Sequence, residues 1–272
     1  MRRAFRHVTF TIGLVVTLGL LGTAALSLVY TPRDPLQMSI AGRLQGPTAA
    51  HPLGTDQFGR DILSRVMTGA VTSILVGVIA VGIGMGVGVS LGMCSGYFGG
   101  WLDEGFMRLM DAVQGFPAIL SALLLAAAFR PSLAMSMVAI GVAFLPVFAR
   151  LTRASFLAHR EREFVLAARA LGAGDAALIG RHILPNTVPP LIVQATISFP
   201  VAILAEAALS YLGLGTQPPH PSWGVMLKEA QAFLGTNPWY AVFPGGAIAV
   251  TVLGLNLLGD GLRDLLDPKL AE

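Results

Sequence analysis

Charge is what this sequence has least of. Of 272 residues, 12% are charged against 54% hydrophobic, and the mean hydropathy is +0.70. A soluble domain carries about 25% charged residues, and one of this size would need more polar surface than the chain owns. The composition therefore excludes an ordinary soluble fold. Lysine is nearly missing: Lys228 and Lys269 are its two occurrences, and neither follows a Gly-rich turn. No G-x-x-x-x-G-K-[ST] loop exists to cradle nucleotide phosphates, so if ATP drives this protein, the ATPase is another polypeptide. Cysteine occurs once, as Cys94 in an apolar run, which excludes an intrachain disulfide and a Cys-based metal cluster. H-E-x-x-H and paired metal-ligand spacings are lacking too. The net charge of +3 comes from scattered basic residues, which argues against a nucleic-acid face.

What is present is apolar length. A bilayer crossing needs about 20 apolar residues, and six stretches supply it, at 8–29, 70–94, 111–129, 133–150, 188–210 and 241–262. The first follows MRRAFRH. A secretory signal shares that pattern, and Arg2-Arg3 resembles a short twin-arginine motif. The apolar core is long for a cleavable signal, however, and no small-x-small site follows, so it is read as an uncleaved first span. A tight Phe129-Arg130-Pro131-Ser132 turn joins spans three and four. The fold expected is all-α and integral to the membrane, with six transmembrane helices.

Lys and Arg favour the cytoplasmic side. With the N-terminus inside, the inner segments hold Arg2, Arg3, Arg6, Arg108, Arg150, Arg153, Arg160, Arg162, Arg169, Arg181, Arg263 and Lys269, and the outer ones Arg33, Arg43, Arg60, Arg65, Arg130 and Lys228. Both termini are therefore expected in the cytoplasm. Within span two, Ala80, Gly84, Gly88 and Gly92 recur every four residues, a smooth ridge on which another helix can pack closely, as static packing or as a sliding contact. Pro117, Pro146, Pro200 and Pro244 interrupt spans, each removing a backbone hydrogen bond.

Catalytic signals are poor. Gly88-Val89-Ser90-Leu91-Gly92 fits G-x-S-x-G, but that motif needs a strand–turn–helix and a His partner, and all five His (7, 51, 159, 182, 220) lie outside the spans. Asp111 sits at the inner mouth of span three and Glu206 well into span five. A carboxylate at depth is by default a functional-site hypothesis; Glu206 is the pathway or outer-gate candidate, with a hydrogen-bonded structural carboxylate as the other reading. Asp260, Arg263, Asp264 and Asp267 close span six at spacings that suit a surface ion pair.

The polar stretch EFVLAARALGAGDAALIGRHILPN, residues 163–186, stands between two apolar spans. Glu161 to Leu171 is rich in good helix formers. Gly172-Ala173-Gly174 breaks that helix, Asp175 is the expected N-cap of a second helix over Ala176 to Ile183, and Pro185 is expected to end it. The product is a helix–turn–helix outside the membrane with small side chains at Ala167, Ala168 and Ala170. It suits either a partner's groove, transmitting rigid-body motion, or an interfacial helix.

This loop resembles the coupling loop, or EAA loop, of ABC-importer permeases: E-A-A, three residues, Gly, nine residues, I-x-L-P. Ala167, Ala168, Gly172, Leu184 and Pro185 fall in register. Leu166 stands where the family has Glu, with Glu163 one turn earlier, and His182 stands at the first Ile position. HPLGTDQFGRDILSR (51–65), ARALGAGDAALIGRHILPN (168–186), ILAEAALSYLGLGTQPPHPSWG (203–224) and LLGDGLRDLLDP (257–268) are similar to the second permease subunit of the dipeptide/oligopeptide/nickel subfamily.

The resemblance implies a type I ABC importer with a MetI-like permease fold. Residues 1–66 would form the first transmembrane helix and an outer segment, and 67–272 the permease domain with its coupling loop at about 152–187. The implied partners are a second homologous permease, two cytoplasmic ATP-binding subunits that bind the ATP and Mg, an external substrate-binding protein and membrane lipid. No cofactor is implied on this chain. Glu163, Ala167, Ala168, Gly172, Asp175, Leu184 and Pro185 would couple to the ATPase; Glu206, from its depth in span five, stays a candidate for the pathway beside the structural reading. The solute class implied is peptides, nickel complexes, glutathione or opines. An ion-driven secondary transporter is the competing class; it needs intramembrane carboxylates or broken helices at a midplane site, and Glu206 alone hints at one. An intramembrane hydrolase at Ser90 is the other.

Overall fold

The computed structural model describes residues 8–266, so Arg2, Arg3, Arg6, His7, Asp267 and Lys269 lie outside the described residues. The chain runs through α1 (Val8–Ser27), α2 (Ile62–Phe98), α3 (Gly100–Gln114), α4 (Ala118–Ala128), α5 (Leu133–His159), α6 (Glu163–Ala170), the one-turn α7 (Asp175–Ala177), α8 (Leu184–Tyr211), α9 (Trp223–Ala230) and α10 (Trp239–Leu266). Among the described residues the one β feature is an isolated Thr55–Asp61 bridge.

Local chemistry sets the helix ends. Asp61 caps α2 by accepting the Ser64 N–H at 2.8 Å, and Ser132 caps α5 through the Met135 N–H at 3.2 Å. Gly99 stops α2 at φ +67°. Among the described residues five helices are long and apolar enough to cross a bilayer: α1, α2, α5, the rod ending in α8, and α10. The expected third span, 111–129, is not a single helix. It divides into α3 and α4, bent by 90°; counted together, the pair is long and apolar enough for a sixth span. The cause is Gly115-Phe116-Pro117. Pro117 is extended (ψ 130°) and caps α4, because it lacks an N–H for the ladder and its ring would clash with the preceding turn. Pro146, Pro200 and Pro244, expected to interrupt spans, sit inside helices that continue through them; neighbouring helices and local adjustments make this tolerable in lipid.

α2 is 37 residues long, about 55 Å at 1.5 Å per residue, well beyond a hydrocarbon core of about 30 Å. It is therefore longer than a straight crossing requires. Its Gly ridge faces α5. A Cβ at Gly84 would lie 2.6 Å from the Phe144 Cβ, at Gly88 2.9 Å from the Leu145 carbonyl, and at Gly96 2.7 Å from the Phe156 Cβ; at Gly92 it would run into the Ala149 carbonyl. The ridge thus extends one turn further than the sequence reading gave it. α1 packs along α10 in the same manner, with Gly261 beneath Phe10 and Gly254 beneath Val16.

At the end of the bundle where α2 and α5 begin, residues 28–61 and 212–238 form a cap. Its centre is a buried ion cluster. Arg60 donates from Nε to Asp56 at 2.5 Å, and both Arg60 and Arg65 donate from Nη2 to one oxygen of Glu229, at 3.1 and 3.0 Å. The Tyr240 hydroxyl donates to that same oxygen at 2.7 Å. Burial works against the charge on Arg60, but Asp56 and Glu229 outweigh it and hold the guanidinium above its ordinary range. His51 sits 2.9 Å from Asp61, and the Asn237 side-chain amide donates to the Gln45 and Thr55 carbonyls. The cap is thereby fastened to α2, α9 and α10. At the far end of α10, Asp260, Arg263 and Asp264 are exposed and make no ion pair with one another, contrary to expectation, since solvated charges gain little from pairing.

Two outcomes follow from this packing. Gly92→Leu drives a side chain into the α5 backbone and should lower stability by about 1–3 kcal/mol in a detergent melt, whereas Gly86→Ala, which has nothing within 4 Å, should melt as the parent does. Glu229→Ala leaves two buried guanidinium groups without their shared acceptor, and the loss expected for a broken buried pair is about 3–5 kcal/mol; Glu229→Gln, which keeps an acceptor oxygen, should fall between that variant and the parent.

Candidate functional site

α5 does not stop at the edge of its apolar run. It carries Arg150, Arg153 and His159 past it, and the Arg160 N–H still bonds the Phe156 carbonyl at 2.9 Å. A short turn then opens α6, whose first amides, Val165 and Leu166, donate to the Arg162 carbonyl. Glu163 occupies the first turn, where a negative charge suits the helix dipole. α6 lasts two turns and closes in a Schellman motif: Ala173 N–H to the Ala168 carbonyl and Gly172 N–H to the Arg169 carbonyl, both 3.0 Å. Gly172 has φ +90°, a geometry that a side chain would strain.

Two expectations for the second helix are corrected here. Asp175 is not its N-cap. Gly174 holds that position, its carbonyl accepting the Ala177 and Leu178 amides at 3.0 Å, and the Asp175 carboxylate is drawn to the Tyr97 hydroxyl, which donates to it at 2.5 Å. Arg169 reaches the same hydroxyl. Nor does Pro185 end the helix. α7 widens into a π turn, Leu178–Ile183, with the Leu184 N–H on the Ile179 carbonyl, and enters α8 directly. The result is one rod of 37 residues, Asp175–Tyr211. Pro185 lies in the first turn of α8, a position that tolerates proline, and the wider ring shifts the ladder so that its missing N–H is not called for. The Asn186 side chain covers the His182 carbonyl at 2.7 Å.

The segment is seated on a small core of Phe156, Val165, Leu178 and Ile183, with Met93, Tyr97, Ala168 and Leu184 around it. Of the residues marked in the sequence, Ala168 and Leu184 are half-buried against this core, while Glu163, Ala167, Gly172, Asp175 and Pro185 are exposed. Seven positions thus come together on one short element. Phe164, Leu166 and Leu171 stand out beside them, Leu171 at 89% exposure. Sequence reasoning passed over Phe164 and Leu171 and noted Leu166 only as a departure from the family's Glu; their signal was apolar side chains on an otherwise polar loop.

A second group at this end was also missed. Arg153 on α5 makes a two-pronged pair with Asp103 on α3, Nε to Oδ1 at 2.5 Å and Nη2 to Oδ2 at 2.6 Å, and the Ser95 hydroxyl donates to the same carboxylate. Arg150 pairs with Asp111 at 2.7 Å and with the Gln114 side chain. Asp111 therefore faces an arginine on α5.

Glu206 is on the same rod as Asp175 but 31 residues further on, about 45 Å away along the helix. It is buried (1% exposed) and accepts the Ser210 hydroxyl at 2.5 Å and the Thr216 hydroxyl at 3.3 Å. It thereby anchors the connection that follows α8. Ser90 is exposed on α2 and donates to its own helix at the Gly86 carbonyl, 2.8 Å; His51 and His220 lie in the cap segments, and His159 and His182 near the ends of α5 and of the rod that leads into α8.

Residues 88–272 match the family model described as "Binding-protein-dependent transport system inner membrane component". The chain is 43% identical over 259 residues to the dipeptide transport system permease protein DppC of Alkalihalophilus pseudofirmus, covering 95% of this chain and 85% of that one. It is 42% identical over 271 residues to the glutathione transport system permease protein GsiD of Pectobacterium atrosepticum, covering 99% and 90%, and 42% identical over 248 residues to the probable D,D-dipeptide transport system permease protein DdpC of Escherichia coli, covering 90% and 83%. Among solved structures, an inward-facing MetNI methionine ABC transporter aligns with a TM-score of 0.61 over 74% of this chain and 96% of that chain at 17% identity, a likeness of fold. The chain belongs to the binding-protein-dependent transport system inner membrane components, as a multi-pass permease of the ABC-importer type.

Proposed function

We propose that this permease forms half of the translocation pathway of an importer for peptides or similar small solutes, the class named for its relatives (dipeptides, D,D-dipeptides, glutathione), with nickel complexes added by the subfamily resemblance. A second homologous permease completes the pathway, an external binding protein delivers the solute, and two cytoplasmic ATP-binding subunits hold the ATP and Mg. The observation that carries this reading is the α6–α7 element. It is too short to be stable alone, yet it is rigidly seated, and it shows apolar side chains to its surroundings.

Phe164, Leu166 and Leu171 supply the contact with the ATPase. Fully burying one such side chain contributes about 1.5–3 kcal/mol. The exposed Ala167 lets a groove close on the backbone, and Glu163 and Asp175 flank the contact. Leu166 makes an apolar contact where the family pattern has a polar one. Closing of the ATPases draws this element and its counterpart together, and the two rods that leave it, α5 and α8, turn the pathway outward. Glu206 holds the outer connection at the pathway's mouth. Both termini and the α6–α7 element face the cytoplasm, and the ion-clustered cap faces outward.

Gly172→Pro cannot take φ +90°, so it should lower solute uptake per ATP by about tenfold, within the usual span of coupling energies, in proteoliposomes holding the whole importer; uptake that persists when ion gradients are collapsed would set aside the secondary-transporter class. Arg162→Cys and Arg169→Cys, each in a Cys94→Ser background, should react with an impermeant thiol reagent in inverted vesicles and be protected in intact cells. Labelling from the outer face instead would overturn the orientation and the coupling role together.

A further inference from the structure

The coupling element is mounted on α5, and α5 is fastened to a second helix, α3, by two ion pairs. Arg150 and Arg153 are three residues apart and so share one face of α5. Each holds a different end of α3: Arg153 grips Asp103 through both carboxylate oxygens, at 2.5 and 2.6 Å, and Arg150 grips Asp111 at 2.7 Å together with Gln114. The two attachment points lie about 12 Å apart along α3. Two points fix a direction as well as a position, so α3 cannot swing on α5 without breaking an ion pair. The Asp103 pair is the more sheltered, with its carboxylate side chain 18% exposed against 61% for Asp111, and the Ser95 hydroxyl of α2 completes it. A forked guanidinium–carboxylate pair is also the geometry with the most directional strength.

Beyond Gln114 the chain turns by 90° into α4. α4 borders an apolar cavity of about 220 Å³ between α4, α5 and α8, lined by Ile119, Ala122, Ile140, Phe144, Val201 and Leu204. A continuous mechanical chain therefore runs from α6 through α5 and the two ion pairs to α3, and from α3 to a wall of this cavity.

We propose that Asp103–Arg153, supported by Asp111–Arg150, are positioning residues for coupling: they make α3 part of the arm that carries α6, so that displacement of α6 moves α4 and reshapes the cavity. This rests on the reading of α6–α7 as the ATPase-coupling element. Neither pair touches nucleotide or solute. Their effect passes through α4.

The test uses the whole importer in proteoliposomes. Asp103→Arg and Arg153→Asp should each co-purify with the ATPase, hydrolyse ATP, and lose about tenfold in solute moved per ATP, a typical coupling between sites; the double reversal should restore most of it. Nitroxide labels at Leu124→Cys and Val201→Cys in a Cys94→Ser background should show an ATP-dependent distance change in the parent and the double reversal but not in either single reversal, a readout that mere loss of stability would not move. Normal coupling in the single reversals, or a double reversal no better than they are, overturns the proposal. Should a single reversal fail to assemble, Asp103→Asn decides: reduced solute per ATP supports the role, and a normal ratio overturns it. Gly172→Pro in the same preparation separates the two ideas. If it uncouples and the reversals do not, the α3 linkage alone is lost; if it leaves coupling intact, the assignment of the loop itself has failed.

Discussion

For about 18 Å, from Gly84 to Gly96, the glycine backbone of α2 lies directly against the backbone and Cβ atoms of α5, with no α2 side chain at the four glycines to hold them apart. In lipid there is no hydrophobic drive to press two apolar helices together, so close van der Waals contact is what holds them, and the contact is close because these positions have no Cβ. Much else is referred to this seam. α2 carries the cap at one end, through Arg65, and Tyr97 at the other. α5 carries Arg150, Arg153 and the root of α6. The cap, α3 and the coupling element are thus mounted on two helices that behave as one.

How far the sequence disclosed this depended on whether a feature was local. Apolar length placed five of the long helices but read the 90° break between α3 and α4 as one continuous span, and the four-residue glycine period picked out the seam, though it stopped short of Gly96. Gly172 announced its own turn, because a positive φ is a property of one residue and its immediate neighbours. The failures were cases in which a distant partner decided. Pro117 breaks a helix and Pro146 does not, although both lie in apolar runs; the difference is a neighbouring Gly115 with little packed against it in one case and the α2 seam in the other. Asp175 had the right chemistry for a cap but had Tyr97 within reach from 78 residues away. Pro185 was absorbed by a π turn, which no helix propensity forecasts.

The two ends of the bundle use charge differently. In the cap, two carboxylates and two guanidinium groups are buried together with Tyr240, so each is locked by several partners at once and the cluster as a whole is neutral. At the other end the pairs are two-membered, partly exposed and arranged in a row between α3 and α5. The first arrangement resists any change of geometry, because exposing one member strands the others. The second can be remade after small shifts, since water is close by. Neither was legible from charge pattern alone: Asp56, Arg60 and Arg65 are near one another in sequence, but Glu229, which ties the two arginines together, is more than 160 residues away.

The rod from Asp175 to Tyr211 runs on as one helical stretch through its π turn and through Pro200. At about 55 Å it is nearly twice as long as the hydrocarbon layer is thick, so a tilt of about 5° carries its tip sideways by about 5 Å. Angle, not bending, becomes the quantity that matters, and the lipid acts as the fulcrum. A thicker or thinner bilayer would shift that pivot along the rod and alter how a given stroke at one side is divided between the two.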